Sequence, residues 1–282
     1  MSTSKLGALR ILLPVALVVG VITAGATAAT GAPDQANAAP AVDMERVVVQ
    51  AHVEPTLGQT DLPGDDSVKV VQEALKAKGH ETKVDGWFGS ETRGAYSAWQ
   101  KSLGHSGNGA NGIPGPGSLA KLGEGRFTID RKIDVGGQTT HDGHTVNKRT
   151  SDMLTEADGK LSWGIDVTQG SYRPCSGASS CTHNGGGAVD IAAESLSTTQ
   201  RWETVKALRQ VGFAAWLRTP DQANWPYHIH AIAVADTDVH VEAAAQVADY
   251  HAGRNGLASH APDNTPQEYR VPFTWWEQYK RG

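Results

Sequence analysis

The stretch "THNGGGAVDI", residues 182–191, constrains this chain more than any other. Three consecutive glycines lose much backbone freedom on ordering, so a fold that keeps them uses their conformational range. Here they separate His183 from Asp190. A tight reversal there brings the two side chains together, and a neutral imidazole with a carboxylate is a good pair of zinc ligands. Asp190 stands between Val189 and Ile191, so it projects from a strand with apolar neighbours. A carboxylate in that setting is costly unless it is paired or bound to a cation.

Zinc asks for a third protein ligand and an open position. The run "PYHIHAIAVA", residues 226–235, reads as a strand. Its His228 and His230 share one face, because side chains alternate with period two. Arg173 in "GSYRP" precedes the first ligand, and its guanidinium can hold a substrate carboxylate or carbonyl bidentately. A further pair, His141 and His144 in "HDGH", has a spacing that could bind metal, though two histidines on a Gly-containing loop are more often solvated. Glu194 reads as a solvated acid near a helix start.

The 282 residues carry a formal charge of -5, which leaves no basic footprint for nucleic acid. The N-terminus supplies Lys5 and Arg10, then an apolar run, then small residues. That is the layout of a secretory signal peptide over residues 1–38, cut after about residue 28 or 38. A secreted protein follows, with no membrane attachment once the signal is removed. Only two cysteines occur, Cys175 and Cys181, and in an oxidising compartment such a pair bridges.

Residues 39–65 read as a linker with one strand in "RVVVQAHV". From 66 to 123 the chain reads as a small helical unit. Val68, Val71 and Leu75 mark a first helix with Ser67 at its start. Ala95, Trp99 and Leu103 mark a second, capped by Ser90, and "GPGSLAKLG" a third. Residues 124–282 alternate strand and helix patterns, including a helix in "SDMLTEADG" with Ser151 as cap, and end in a C-terminal extension. The fold class is α+β: a three-helix unit, then a domain with a central antiparallel sheet flanked by helices.

Two resemblances carry these patterns further. Val71-Gln72, Leu75, Gly79, residues 84–89 (Val-Asp-Gly-Trp-Phe-Gly), Thr92 and Trp99-Gln100 resemble the helical peptidoglycan-binding domain of cell-wall hydrolases, over roughly residues 66 to 122. Tyr172-Arg173, His183-x6-Asp190 and His228-x-His230 resemble the zinc D-alanyl-D-alanine carboxypeptidase/endopeptidase superfamily, which includes lysostaphin-type endopeptidases and the hedgehog domain. The second resemblance implies His183, Asp190 and His230 as zinc ligands, His228 as catalytic partner and Arg173 as stabiliser of the substrate carbonyl or carboxylate. Carboxypeptidase-type members carry an acid three residues before the ligand histidine. Here Trp225 and Tyr227 hold those positions, so that base is missing or has moved, and the exchange of His228 and His230 stays open. Together the resemblances imply a monomeric peptidase acting on peptidoglycan, or a non-catalytic zinc-containing wall-binding protein.

Overall fold

The computed structural model describes residues 38–53, 64–175 and 181–282. The signal peptide expected over residues 1–38 lies outside the described residues except for residue 38. A four-stranded antiparallel sheet organises the chain that follows. It comprises β5 (Val167–Gln169), β6 (Ala188–Ala192), β7 (Phe213–Arg218) and β8 (His228–Ala233), in the order β5-β6-β8-β7. Strands β7 and β8 are entirely or almost entirely buried along their length. Two further strands, β3 (Gln138–His141) and β4 (His144–Asn147), form a hairpin. A parallel pair joins β1 (Ala41–Asp43) to β2 (Thr128–Asp130). The chain is therefore of mixed helix and sheet.

The two faces of the four-stranded sheet differ, as period-two alternation requires. Val189, Ile191, Phe213, Ala215, Leu217, Ile229 and Ala231 pack on one side with Met153, Leu154, Val205 and Leu208. Those partners come from α5 (Lys148–Asp158) and α6 (Thr198–Gln210). Helix α5 is capped by Asn147, whose side chain accepts from Thr150 N, and not by Ser151 as the sequence pattern implied. Asn147 lies at the end of β4, so the strand runs directly into the helix. Helix α6 begins with a full capping box between Ser197 and Gln200.

The other face meets the N-terminal helices. Those are α1 (Met44–Val53), α2 (Asp66–Ala77), α3 (Ser90–Ser102) and α4 (Pro116–Gly123). Helices α2 to α4 form where the sequence placed them, with Asp65 capping α2; Ser90 does not cap α3 as expected but is its first residue, and Gly89 holds the cap position without a side-chain bond. The carboxamide of Gln72 ties the turn between α2 and α3, donating to Thr92 Oγ1 and accepting from the backbone of Asp85 and Gly86.

Helix α1 corrects the expectation of a linker over 39–65. Three successive valines suggested a strand, but Met44, Val47, Val48, Ala51 and His52 are all fully buried. Their spacing is that of one helical face. Burial decided against the β-branched propensity. His52 is held to the far domain, its Nε2–H donating to the Asp236 carbonyl at 2.9 Å. Burial pushes its imidazole down to about 3, so it stays neutral.

Residues 39–282 form one compact unit. One hydrophobic core runs from Val68, Leu75, Tyr96 and Leu122 through α1 to Trp216, Ile232 and Val234 on the sheet, and to Val247 on α8 (Val241–His251). The chain boundary near 123 thus does not divide the core. Asn111, buried between the halves, donates to the carbonyls of Thr237 and Val239 at 3.1 and 3.0 Å. Among the described residues, no helix is long and apolar enough to cross a membrane.

Asn111→Ala should strand both carbonyls and cost about 2–4 kcal/mol. In urea, helicity and tryptophan fluorescence should then shift together to a lower midpoint. Separate transitions, with only one half affected, would show that the halves are independent.

Candidate metal centre

The sheet register assembles the centre. Asp190 on β6 lies opposite His230 on β8, and His230 lies opposite Trp216 on β7. One row thus reads Asp190, His230, Trp216 across three strands. The next row on the same face holds Ala192, His228 and Arg218. His183 arrives from a single 3₁₀ turn, Cys181–Asn184, and the three glycines carry the chain from it into β6.

Each glycine has a reason to lack a side chain. A Cβ at Gly185 would collide with the backbone of residues 238–240. At Gly186 it would lie 2.8 Å from Tyr172 Oη and 2.9 Å from Asn147 Nδ2. Gly187 has φ +79°, and its Cβ would sit 2.9 Å from Asp236 Cβ. The loop is pinned on both sides: Gly186 N donates to Asp238 O, Gly187 O accepts from Ala233 N, and Gly185 O accepts from Tyr172 N.

Behind this loop lies a buried polar cluster that the sequence did not disclose. Asn147 Nδ2 donates to Asp236 Oδ2 at 2.6 Å, Asp238 N to Asp236 Oδ1 at 2.9 Å, and Tyr172 Oη to Asp238 Oδ2 at 2.9 Å. Burial raises the Asp236 carboxyl to about 6, against the pull of Asn147. Burial and the two carboxylates raise the Tyr172 phenol as well.

At the centre itself, hydrogen bonding limits which nitrogen of each imidazole is free. His183 Nδ1 lies 3.0 Å from the Gly170 carbonyl, which can only accept, so Nδ1 carries the proton and Nε2 the lone pair. His230 lies between Gln246 Oε1, 2.9 Å from Nε2, and Asp190 Oδ1, 2.8 Å from Nδ1; the tautomer that gives Nε2–H to Gln246 leaves the Nδ1 lone pair for a metal. His183 Nε2 faces the same carboxylate, at 3.4 Å from Asp190 Oδ2. All three ligand atoms lie within 4.8 Å of one another.

Burial works to raise the Asp190 carboxyl, but hydrogen bonding and charge from the His183 and His230 imidazoles beside it outweigh burial and hold it far below the usual range. Burial lowers His230, against the pull of Asp190. Two imidazoles and an ionised carboxylate together form a donor set for a cation. Two nitrogens and an oxygen suit zinc, whose tetrahedral ligands at ~2.1 Å stand about 3.4 Å apart. Trp216 lies parallel to the His230 ring, 15° between planes at 6.4 Å, and donates its Nε1–H to Arg254 O.

His228 is on the same face but outside the cluster. Its Nδ1 lies 2.9 Å from the Pro226 carbonyl, so Nδ1 donates and Nε2 keeps its lone pair. The exposed ring of Trp225 meets it edge-on at 5.8 Å. Glu194 is exposed shortly before α6, and its Oε2 accepts from Tyr227 N at 2.8 Å, which fixes the approach to β8. Arg173 is exposed, and its backbone N donates to His183 O at 2.8 Å. His141 and His144 flank the β3–β4 turn, with His141 Nδ1 3.1 Å from Ser151 Oγ.

Cys175 and Cys181 are joined as a disulfide. They form a second close group with His240, but bridged sulfurs are not thiolates and do not ligate a metal. Gln246, Trp216 and Arg218 are the site residues that sequence reasoning missed. Gln246 alone left a signal, as a polar residue in the alanine-rich run of α8.

Comparison with protein-family models, with curated proteins and with solved structures returns no match. The resemblances therefore rest on the residues quoted for them.

The raised Asp236 carboxyl has a consequence for stability. Its folded value lies above the unfolded value near 4, so the folded state holds the extra proton. Stability from this group is full below pH 4 and falls as pH rises toward 6, by on the order of 2 kcal/mol. Denaturation midpoints from pH 4 to 7 should show wild type losing ground to Asp236→Asn over that window. A constant difference between the two would contradict the assignment.

Proposed function

We propose that this protein is a secreted, zinc-dependent peptidase of the cell wall, hydrolysing peptide bonds in peptidoglycan stem peptides or cross-links. The observation that carries the proposal is the convergence of His183 Nε2, Asp190 and His230 Nδ1, with each imidazole anchored through its other nitrogen. Anchored ligands of this kind, held by a carbonyl or amide oxygen behind them, are what a metal site uses to fix ring orientation.

Zinc, when bound, would act as a Lewis acid and bring the pKa of its water toward neutrality. The chain's own residues supply the rest. His183, Asp190 and His230 would hold the ion. His228 has its Nδ1–H committed to Pro226, so Nε2 can accept a proton and later return one to the leaving amine. This supports His228 as acid/base and His230 as ligand, because His230 faces Asp190 and His228 does not. No acid stands at 225 or 227, and Glu194 is occupied by Tyr227 N. Arg173, exposed beside His183, is positioned to meet a substrate carbonyl or carboxylate from the solvent side.

Peptidoglycan as substrate follows from the wall-binding resemblance of residues 66 to 122. A binding module in the same chain raises the local concentration of cleavable peptide. A second proposal, a zinc-containing wall-binding protein without turnover, is favoured by the absent acid three residues before the last histidine.

His230→Ala should lose bound zinc, whereas His228→Ala should keep it and slow turnover by roughly 10²–10⁴-fold. Zinc stoichiometry and release of amino groups from purified peptidoglycan measure both. Loss of zinc in His228→Ala with retention in His230→Ala would exchange the two roles. Zinc without amino-group release in wild type would favour the non-catalytic alternative.

A further inference from the structure

Arg218 is a buried cation for which the metal-ligand set has no evident use. It stands on the ligand face of the sheet, opposite His228 and two residues along β7 from Trp216. The residue is 2 % exposed. Its Nη1 donates to Asn255 O at 2.8 Å, and its Cζ lies 5.1 Å from the Trp216 ring, the same ring that lies parallel to His230. Its Nη2 is buried with no hydrogen-bond partner. Burial lowers the guanidinium to about 10, so it remains charged at neutral pH.

Two carboxylates influence it, Asp190 and Asp263. Neither is its own counter-ion. Asp263 is committed to the buried Arg209, 2.9 Å from its Nη2. Asp190 faces His183 and His230. A buried guanidinium without a dedicated carboxylate is costly, and removing the charge is the simplest remedy. The fold instead spends a carbonyl and an indole face on keeping it. Its placement beside the donor set gives a reason. A divalent ion held by two neutral imidazoles and one carboxylate is already net positive, and Arg218 adds a further positive charge within the same low-dielectric face.

We propose that Arg218 is a positioning residue that sets the charge of the metal centre, weakening its hold on the cation and making the loaded centre prefer an anionic ligand, of the carboxylate class, in its open position. This inference rests on the metal-holding part of the proposed function and not on peptide cleavage. It differs from the role given to Arg173, which meets substrate from solvent. Arg218 acts through the field at the ion. Like charges within roughly 10 Å in a half-buried setting interact strongly enough to alter an affinity by tenfold or more.

The test is zinc affinity, measured by competition with a chromophoric chelator on the full mature chain. Arg218→Gln should bind zinc at least about tenfold more tightly than wild type, because a repelling charge has gone. Arg218→Lys, which keeps the charge, should stay close to wild type. A residue that merely supported the fold would give the opposite sign, since its loss loosens the ligands. Acetate titrated into the cobalt-loaded protein provides the second measurement and requires no variant to fold. The visible spectrum of wild type should shift saturably with acetate, and Arg218→Gln should need about tenfold more. Equal or weaker zinc binding in Arg218→Gln overturns the proposal, as does a wild-type cobalt spectrum that acetate leaves unmoved. Wild type that binds no zinc overturns the metal centre itself. Zinc binding in the expected order without peptide cleavage leaves Arg218's role standing and removes only the peptidase.

Discussion

Everything at this site depends on one carboxylate. Asp190 projects from the middle of a buried sheet and faces His183 Nε2 at 3.4 Å and His230 Nδ1 at 2.8 Å, while the other nitrogens of the two rings are held by Gly170 and Gln246. The group offers two nitrogens and an oxygen within 4.8 Å of one another, and burial excludes water from competing for them. The donor set, two nitrogens and one oxygen, is what zinc accepts while leaving a position for chemistry.

The rest of the fold holds that arrangement in place. The glycine run lies flat on the segment 236–240, close enough that no Cβ fits, and the buried Asn147–Asp236–Asp238–Tyr172 network pins that segment from behind. Helix α8 brings Gln246 to His230, and the same helix shares a core with α1. The N-terminal helices thus bear on the metal centre through packing. His52 and Asn111 bind the carbonyls of residues 236, 237 and 239, the strip against which the glycine loop rests. Ordering of the helical segment and geometry of the ligands are mechanically linked.

How far the chain could be read in advance depended on the range of the interaction. His183, Asp190 and His230 were legible because a tight reversal and a two-residue strand period are local properties. The strands "FAAWLR" and "HIHAIA" were legible for the same reason. Helix α1 was not, because three valines favour a strand locally and only the burial of Met44, Val48 and His52 together shows the helical face. Asn147 as the cap of α5 was missed because it ends a strand. Trp216, Arg218 and Gln246 were invisible for a different reason. Their place at the site comes from sheet register and from the packing of α8, between segments far apart along the chain or of unknown alignment. The intact core across residue 123 was hidden likewise, since a resemblance confined to residues 66 to 122 carries no information about what those helices pack against.

The most direct measurement is X-ray absorption at the zinc edge of the zinc-loaded protein. The expected first shell holds only nitrogen and oxygen at ~2.0–2.1 Å, with outer-shell scattering from two imidazoles. His183→Ala should remove one imidazole from that pattern. A sulfur shell near ~2.3 Å would place the ion at Cys175, Cys181 and His240 instead, and would contradict the assignment of the metal to Asp190 and its two histidines.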